Sequence, residues 1–233
     1  MPAREVHVAW ARPGDIAPQD WAELDDGLDT GERERALQFR FEADRHAYVL
    51  AHALLRALVA GVAGRPARSV HLEHDARGRP GVEGEPQLNI SNTRTRQAVA
   101  CAVTLAGPVG VDVEAIDARG ADAELLASYV ASDEAARGRE FFERWALLEA
   151  FWKAWGTGLA QGNARIVISS MEGGQFDIRT EGGAAFEGTG WVLEPFDDCA
   201  TALVLRGCLP PSLRLRQTRC NSARDIKQLS GAI

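Results

Sequence analysis

Gly107-Pro108-Val109-Gly110-Val111-Asp112-Val113-Glu114 is the stretch on which the reading of the fold turns. The Gly-Pro pair interrupts regular structure and marks a boundary between two halves of the chain. The residues after it alternate as a strand does, so Val109, Val111 and Val113 share a buried face. Asp112 and Glu114 share the other face, about 7 Å apart along the strand. Two carboxylates on one face suit a hard divalent cation, which takes oxygen ligands. A half-exposed strand with solvated acids gives the same pattern, and the strand alone leaves both readings open.

On the N-terminal side, Val6 to Trp10 reads as a short strand and Asp15 to Gly31 as a polar loop with a short helix around Trp21. From Glu32, the spacing of Leu37, Phe41, Leu50, Leu54, Leu55 and Leu58 predicts one or two amphipathic helices ending near Gly61 or Gly64. Strands are expected from Val70, over Leu88 to Ser91 and over Val99 to Leu105, with a turn at Gly78-Arg79-Pro80-Gly81. On the C-terminal side, helical segments are expected at Glu124 to Val130, Asp133 to Arg137 and Glu140 to Trp155. Strands follow over Ala164 to Ser169, Gln175 to Arg179, Gly190 to Pro195 and Thr201 to Leu205. Each half offers strand, helix and further strands, so the expected class is α+β, a pseudo-duplicate of two subdomains over residues 1–107 and 108–212. The polar residues 213–233 read as a poorly ordered tail.

Composition narrows the function. The 233 residues are 45% hydrophobic, enough for a core, and carry a net charge of -7, which argues against a non-specific nucleic-acid binder. No uninterrupted apolar run approaches the roughly 20 residues of a membrane span, and Met1 to Glu5 lacks the apolar centre of a signal peptide. Cys101, Cys199, Cys208 and Cys220 show no CxxC spacing and read as reduced thiols. The expectation is a cytoplasmic monomer without nucleic-acid or membrane partners.

The second chemical segment is Phe141 to Trp155, FFERWALLEAFWKAW. At about 100° per residue, Phe141, Leu148, Trp152 and Trp155 fall in one apolar arc that includes Trp145. Glu149 lies beside Trp145, and Lys153 one turn further on. An exposed Glu–Lys pair at i,i+4 accounts for this spacing, and so does an acid aimed at a metal with a lysine reaching a phosphate.

Taken together, the segments resemble the Sfp-type 4'-phosphopantetheinyl transferases. The carriers are GVDVE at 110–114, followed by Trp145-Ala146-Leu147-Leu148-Glu149-Ala150-Phe151-Trp152-Lys153-Ala154-Trp155-Gly156-Thr157-Gly158-Leu159. Phe39-Arg40-Phe41-Glu42-Ala43-Asp44-Arg45, Gly78-Arg79-Pro80 and Leu88-Asn89-Ile90-Ser91 match in order, and the likeness covers roughly residues 5 to 205. It implies a pseudo-twofold pair of α+β subdomains with coenzyme A in the cleft between them. Asp112, Glu114 and Glu149 would then hold Mg2+, with Mn2+ as an alternative. Glu149, or a water on the metal, would take the proton of a carrier-protein serine. Lys153 would stabilise phosphate oxygens or the departing 3',5'-ADP. Arg33, Arg35, Arg45 and Arg79 are the candidate phosphate and adenine contacts, with Ser91, Asn92 and Thr93 at the strand end. The implied partners are coenzyme A and an acyl or peptidyl carrier protein of fatty-acid, polyketide or nonribosomal-peptide biosynthesis.

Three positions depart from the pattern. Asn92 stands where the family has a histidine that helps to bind the 3'-phosphate of coenzyme A. Leu148 stands where it has a lysine, and Ala47 where it often has a basic residue. Each loss removes a phosphate partner worth about 1.5–3 kcal/mol. Arg94 and Arg96 lie close enough in sequence to compensate. The departures keep open a member that binds a carrier or coenzyme A without transfer. They also keep open one that releases or cyclises the acyl chain of an already modified carrier.

Overall fold

The computed structural model describes residues 5–117, 123–131, 136–158, 164–182, 186–207 and 213–231. The chain divides into two compact units: Met1–Ala106 with Leu213–Ile233, and Gly107–Ser212. Both mix helices and sheet, as the α+β reading expects. The helix expected at Asp133 to Arg137 falls mostly outside the described residues, as does Cys208; Cys101, Cys199 and Cys220 are buried.

In the first unit a four-stranded sheet runs in the order β12 (Arg214–Cys220), β1 (Glu5–Ala11), β5 (Val99–Thr104), β4 (Asn89–Arg94). The β1–β12 pair is parallel and the others antiparallel. The helical pattern that begins near Glu32 resolves into α2 (Thr30–Ala36) and α3 (Glu42–Ala63), preceded by the short α1 (Trp21–Asp26). Asp29 caps α2 in a reciprocal box with Glu32, and Gly64 closes α3 in the left-handed region that glycine favours. Leu50, Leu54, Leu55 and Leu58 of α3 share a core with Ala9, Ile90, Cys101 and Val103 of the sheet. In length and composition α3 would suffice to cross a membrane, a point that a search for uninterrupted apolar runs passes over. Here 83% of its most apolar window is buried, as in a core helix. A small ribbon, β2 (Leu72–His74) with β3 (Pro80–Val82), completes the unit.

Residues 213–231 are not the loose tail their composition suggests. β12 pairs with β1 over seven residues, and α6 (Ala223–Leu229) buries Ala223, Ile226 and Leu229 in the same core. Main-chain bonds hold β12, of which only Cys220 is buried, so side-chain polarity conceals the strand.

The second unit is a six-stranded sheet in the order β6 (Val109–Ala115), β11 (Cys199–Arg206), β10 (Glu187–Leu193), β9 (Gln175–Thr180), β8 (Ile166–Ser170), β7 (Val130–Ala131). The short α4 (Ala123–Tyr129) precedes β7. One helix, α5 (Arg139–Trp155), packs Leu147, Leu148, Phe151 and Trp152 against Ala200, Ala202 and Val204 of β11. Gly110 sets how close it lies. A Cβ there would stand 1.9 Å from the carbonyl oxygen of Ala150 and 2.7 Å from the amide nitrogen of Ala154. The helix backbone therefore rests on β6 where a side chain is missing. Asp112 and Glu114 share the face of Gly110, so they look at α5 rather than at solvent.

Candidate active site

This close approach assembles the chemical groups. Asp112 is 4% exposed. The Nζ of Lys153 donates to its Oδ1 at 2.5 Å and to the main-chain oxygen of Val111 at 3.3 Å. Trp145, Glu149 and Lys153 are spaced i, i+4, i+8 and so follow one face of α5. Glu114 accepts a hydrogen bond from the indole of Trp145. Burial first, then the charges of Asp112 and Glu149, push the Glu114 carboxyl up to about 7, against the pull of Lys153 and the Trp145 bond. Burial, then Asp112, also raises Glu149, and Lys153 again opposes. The structure thus brings Asp112, Glu114, Glu149 and Lys153 into one electrostatic group.

Three carboxylates beside one ammonium make an all-oxygen donor set with excess negative charge, the chemistry a hard divalent ion requires. In this conformation Lys153 is the cation on Asp112. Among the described residues, no three His, Cys, Asp or Glu side chains stand close enough to enclose a metal. The donor types and charge fit magnesium, while the side chains do not form a closed shell around one point.

The candidate phosphate contacts belong to the first unit, and the structure separates them by environment. Arg33 and Arg35 are exposed on α2. Arg45 is ion-paired with Asp25, so its charge is already matched. Arg79 follows a turn in which Asp75 Oδ1 accepts its main-chain N–H at 2.9 Å; it lines a cavity of about 440 Å³ with His74, Glu85 and Asn89. Ser91 and Thr93 are buried and alternate with the half-buried Asn92. The other departures lie in the two cores: Ala47 is 2% exposed and Leu148 fully buried, so neither position is a simple surface cation deleted.

Sequence reasoning missed several contacts because they join distant elements. The Lys153–Asp112 pair spans 41 residues. Glu32 is buried and meets His52 Nδ1 at 2.9 Å and Arg56 at 3.2 Å, tying α2 to α3. The one available signal was the hydrophobic stretch of α3, in which His52 and Arg56 stand out one turn apart.

Comparison with known proteins points to one family. The family model for the 4'-phosphopantetheinyl transferase superfamily matches residues 108–204, which contain Asp112, Glu114, Glu149 and Lys153. A model for the N-terminal part of 4'-phosphopantetheinyl transferase matches residues 15–101. Among similar proteins, the 4'-phosphopantetheinyl transferase psf-1 of Bacillus pumilus is 28% identical over 63% of this chain and 66% of its own length. The 4'-phosphopantetheinyl transferase HetI of a Nostoc species is 26% identical over 67% of this chain and 71% of its own. A phosphopantetheinyl transferase of a Thraustochytrium species is 29% identical over 67% and 63%. The matches therefore span about two thirds of each relative. With both parts of the chain matched by models of the same family, and the carboxylate–lysine group inside the match over residues 108–204, the chain belongs to the 4'-phosphopantetheinyl transferase superfamily.

Proposed function

We propose that the protein transfers the 4'-phosphopantetheine arm of coenzyme A to a serine of an acyl or peptidyl carrier protein. The observation that carries this reading is the grouping of Asp112, Glu114, Glu149 and Lys153 where β6 meets α5, inside the family match. In the reaction the serine Oγ attacks the phosphorus that bears the pantetheine arm. The new O–P bond forms as the bond from that phosphorus to the bridging oxygen breaks, and 3',5'-ADP leaves. Glu149 takes the serine proton; its raised pKa makes it a stronger base than a solvated carboxylate. Lys153 presents positive charge to the phosphate oxygens as negative charge shifts to the leaving group. Asp112, Glu114 and Glu149 are the residues that would hold Mg2+, with Mn2+ as the alternative. Bound there, the ion neutralises pyrophosphate charge. Cytoplasmic location and a monomeric state belong to the same proposal.

The test is incubation with apo-carrier, coenzyme A and magnesium, read by intact-protein mass. The carrier should gain one phosphopantetheine, and Glu149→Gln should abolish the gain while keeping the wild-type circular dichroism. If wild type leaves every apo-carrier unchanged yet binds modified carrier tightly, the transferase reading fails in favour of an activity on the loaded arm.

A further inference from the structure

The parallel register of β1 on β12 sets His7 beside Arg216, Ala9 beside Thr218 and Ala11 beside Cys220. Ala9, Ala11 and Cys220 join the core that α3 and α6 share, so alternation turns Glu5 and His7 toward that same side. Beside them opens a cavity of about 620 Å³, a size usual for small-molecule sites. Leu58 of α3 and Leu229 of α6, both buried, give it an apolar lining, and Glu5, His7 and Arg216 supply polar groups. Every lining residue belongs to the first unit.

His7 is 6% exposed, yet its Nε2 closes no well-formed hydrogen bond among the described residues. It stands 3.5 Å from Glu5 Oε2, at the outer limit of such a bond. Glu5 Oε1 is already taken by Arg216, whose Nη2 and Nε donate to it at 3.1 and 3.3 Å. Burial first lowers the pKa of His7, against the pull of Glu5, so the ring is neutral at neutral pH. An imidazole left without a good partner inside a protein costs free energy that a ligand hydroxyl recovers. A hydroxyl suits either tautomer. It accepts from Nε2–H while donating to Glu5 Oε2, or it donates to a bare Nε2.

The charged groups around the cavity are already matched. Arg216 holds Glu5, Arg219 pairs with Asp15 at 3.1 Å, and Asp225 accepts the main-chain N–H of Asn221 at 2.8 Å. A charged ligand has to displace one of these partners, whereas a neutral one does not. No aromatic side chain lines the cavity among the described residues, so a nucleobase finds no ring to stack on. We propose that this cavity binds a neutral phenol or alcohol with a hydrocarbon body. Its hydroxyl bonds to His7 Nε2 and Glu5 Oε2, and its body rests on Leu58 and Leu229. The assignment is independent of the transferase reading.

Nuclear magnetic resonance on the full chain tests this at about pH 8, above the ordinary histidine value. The probes are 4-methylphenol, its capped analogue 4-methylanisole, and the anion 4-methylbenzoate. 4-Methylphenol should shift the ring resonances of His7 to saturation with a Kd of about 1–10 mM, as a ligand of this size allows. Its methyl group should show nuclear Overhauser contacts to Leu58 and Leu229. The capped and anionic probes should bind about fivefold or more weakly, the range of one lost hydrogen bond. His7→Leu should bring 4-methylphenol down to the affinity of 4-methylanisole. Should that variant not fold, the wild-type contacts and the order of the three probes decide the matter. No saturating shift at His7, contacts elsewhere on the protein, equal affinity for the capped probe, or tighter binding of the benzoate overturns the assignment.

Discussion

The ammonium of Lys153 and the carboxylate of Asp112 meet at 2.5 Å, joining α5 to β6 by a pair whose acid is 4% exposed. The same lysine opposes the upward shifts of Glu114 and Glu149, so one cation balances three acids. Lys153→Ala therefore has two expected effects. Transfer slows by about a hundredfold or more, as when a transition-state contact is lost. The fold loses roughly 2 kcal/mol, below the value for a fully buried pair because Lys153 remains about a third exposed. Magnesium should raise the melting temperature of this variant more than that of wild type. Equal shifts in the two would mean that the carboxylates take no metal.

The acids also make stability depend on pH. Glu114 titrates near 7 in the folded protein, against an ordinary value of 4.5. The folded form therefore binds more protons between these values than the unfolded form does. The stabilising contribution is complete below about 4.5 and is lost as pH rises through about 7. Glu149 acts in the same direction. Thermal melts in chelator should fall between about pH 5 and 7, and Glu114→Gln should flatten the fall. Indistinguishable slopes for wild type and Glu114→Gln would show that Glu114 is not the titrating group.

How much of this was legible in the sequence depends on whether a signal is local. The alternation of Val109 to Glu114 and the 3.6-residue spacing of Phe141 to Trp155 exposed both partners of the site. What alternation did not give was the environment of the acids. The face they share is covered by α5, and it is covered because Gly110 has no side chain. β12 was invisible for a related reason: its order comes from the backbone of β1, almost the whole chain away. Arginines reveal least in sequence. Arg35, Arg45, Arg94 and Arg96 read alike until the carboxylates and rings beside them are known.

Leu148 shows how a sequence departure can mislead. Set beside the lysine of the family pattern, it makes Leu148→Lys look like a repair of phosphate binding. In the structure Leu148 is fully buried in the core of the second unit. An ammonium there loses its hydration among apolar side chains. Leu148→Lys should cost about 3 kcal/mol or more and lower the melting temperature by several degrees. Soluble variant with wild-type melting and raised turnover would mean that the side chain escapes from the core to the site.

Gly110 gives the sharpest test of how fold makes site. The atoms in the way of a Cβ are main chain: the carbonyl of Ala150 at 1.9 Å and the amide of Ala154 at 2.7 Å. No rotamer change can relieve this, so Gly110→Ala must move α5 away from β6. Overpacking of this kind costs about 1–3 kcal/mol, and more where backbone must shift. The displacement separates Asp112 and Glu114 on the strand from Glu149 and Lys153 on the helix. Activity measured well below the melting temperature should therefore fall further than the folded fraction does. The companion variant Ala150→Gly, added to Gly110→Ala, removes a side chain that is not the obstacle and should rescue neither stability nor transfer. Recovery of both would mean that the helix is held off by the Ala150 methyl, and that the backbone contact at Gly110 does not set the site.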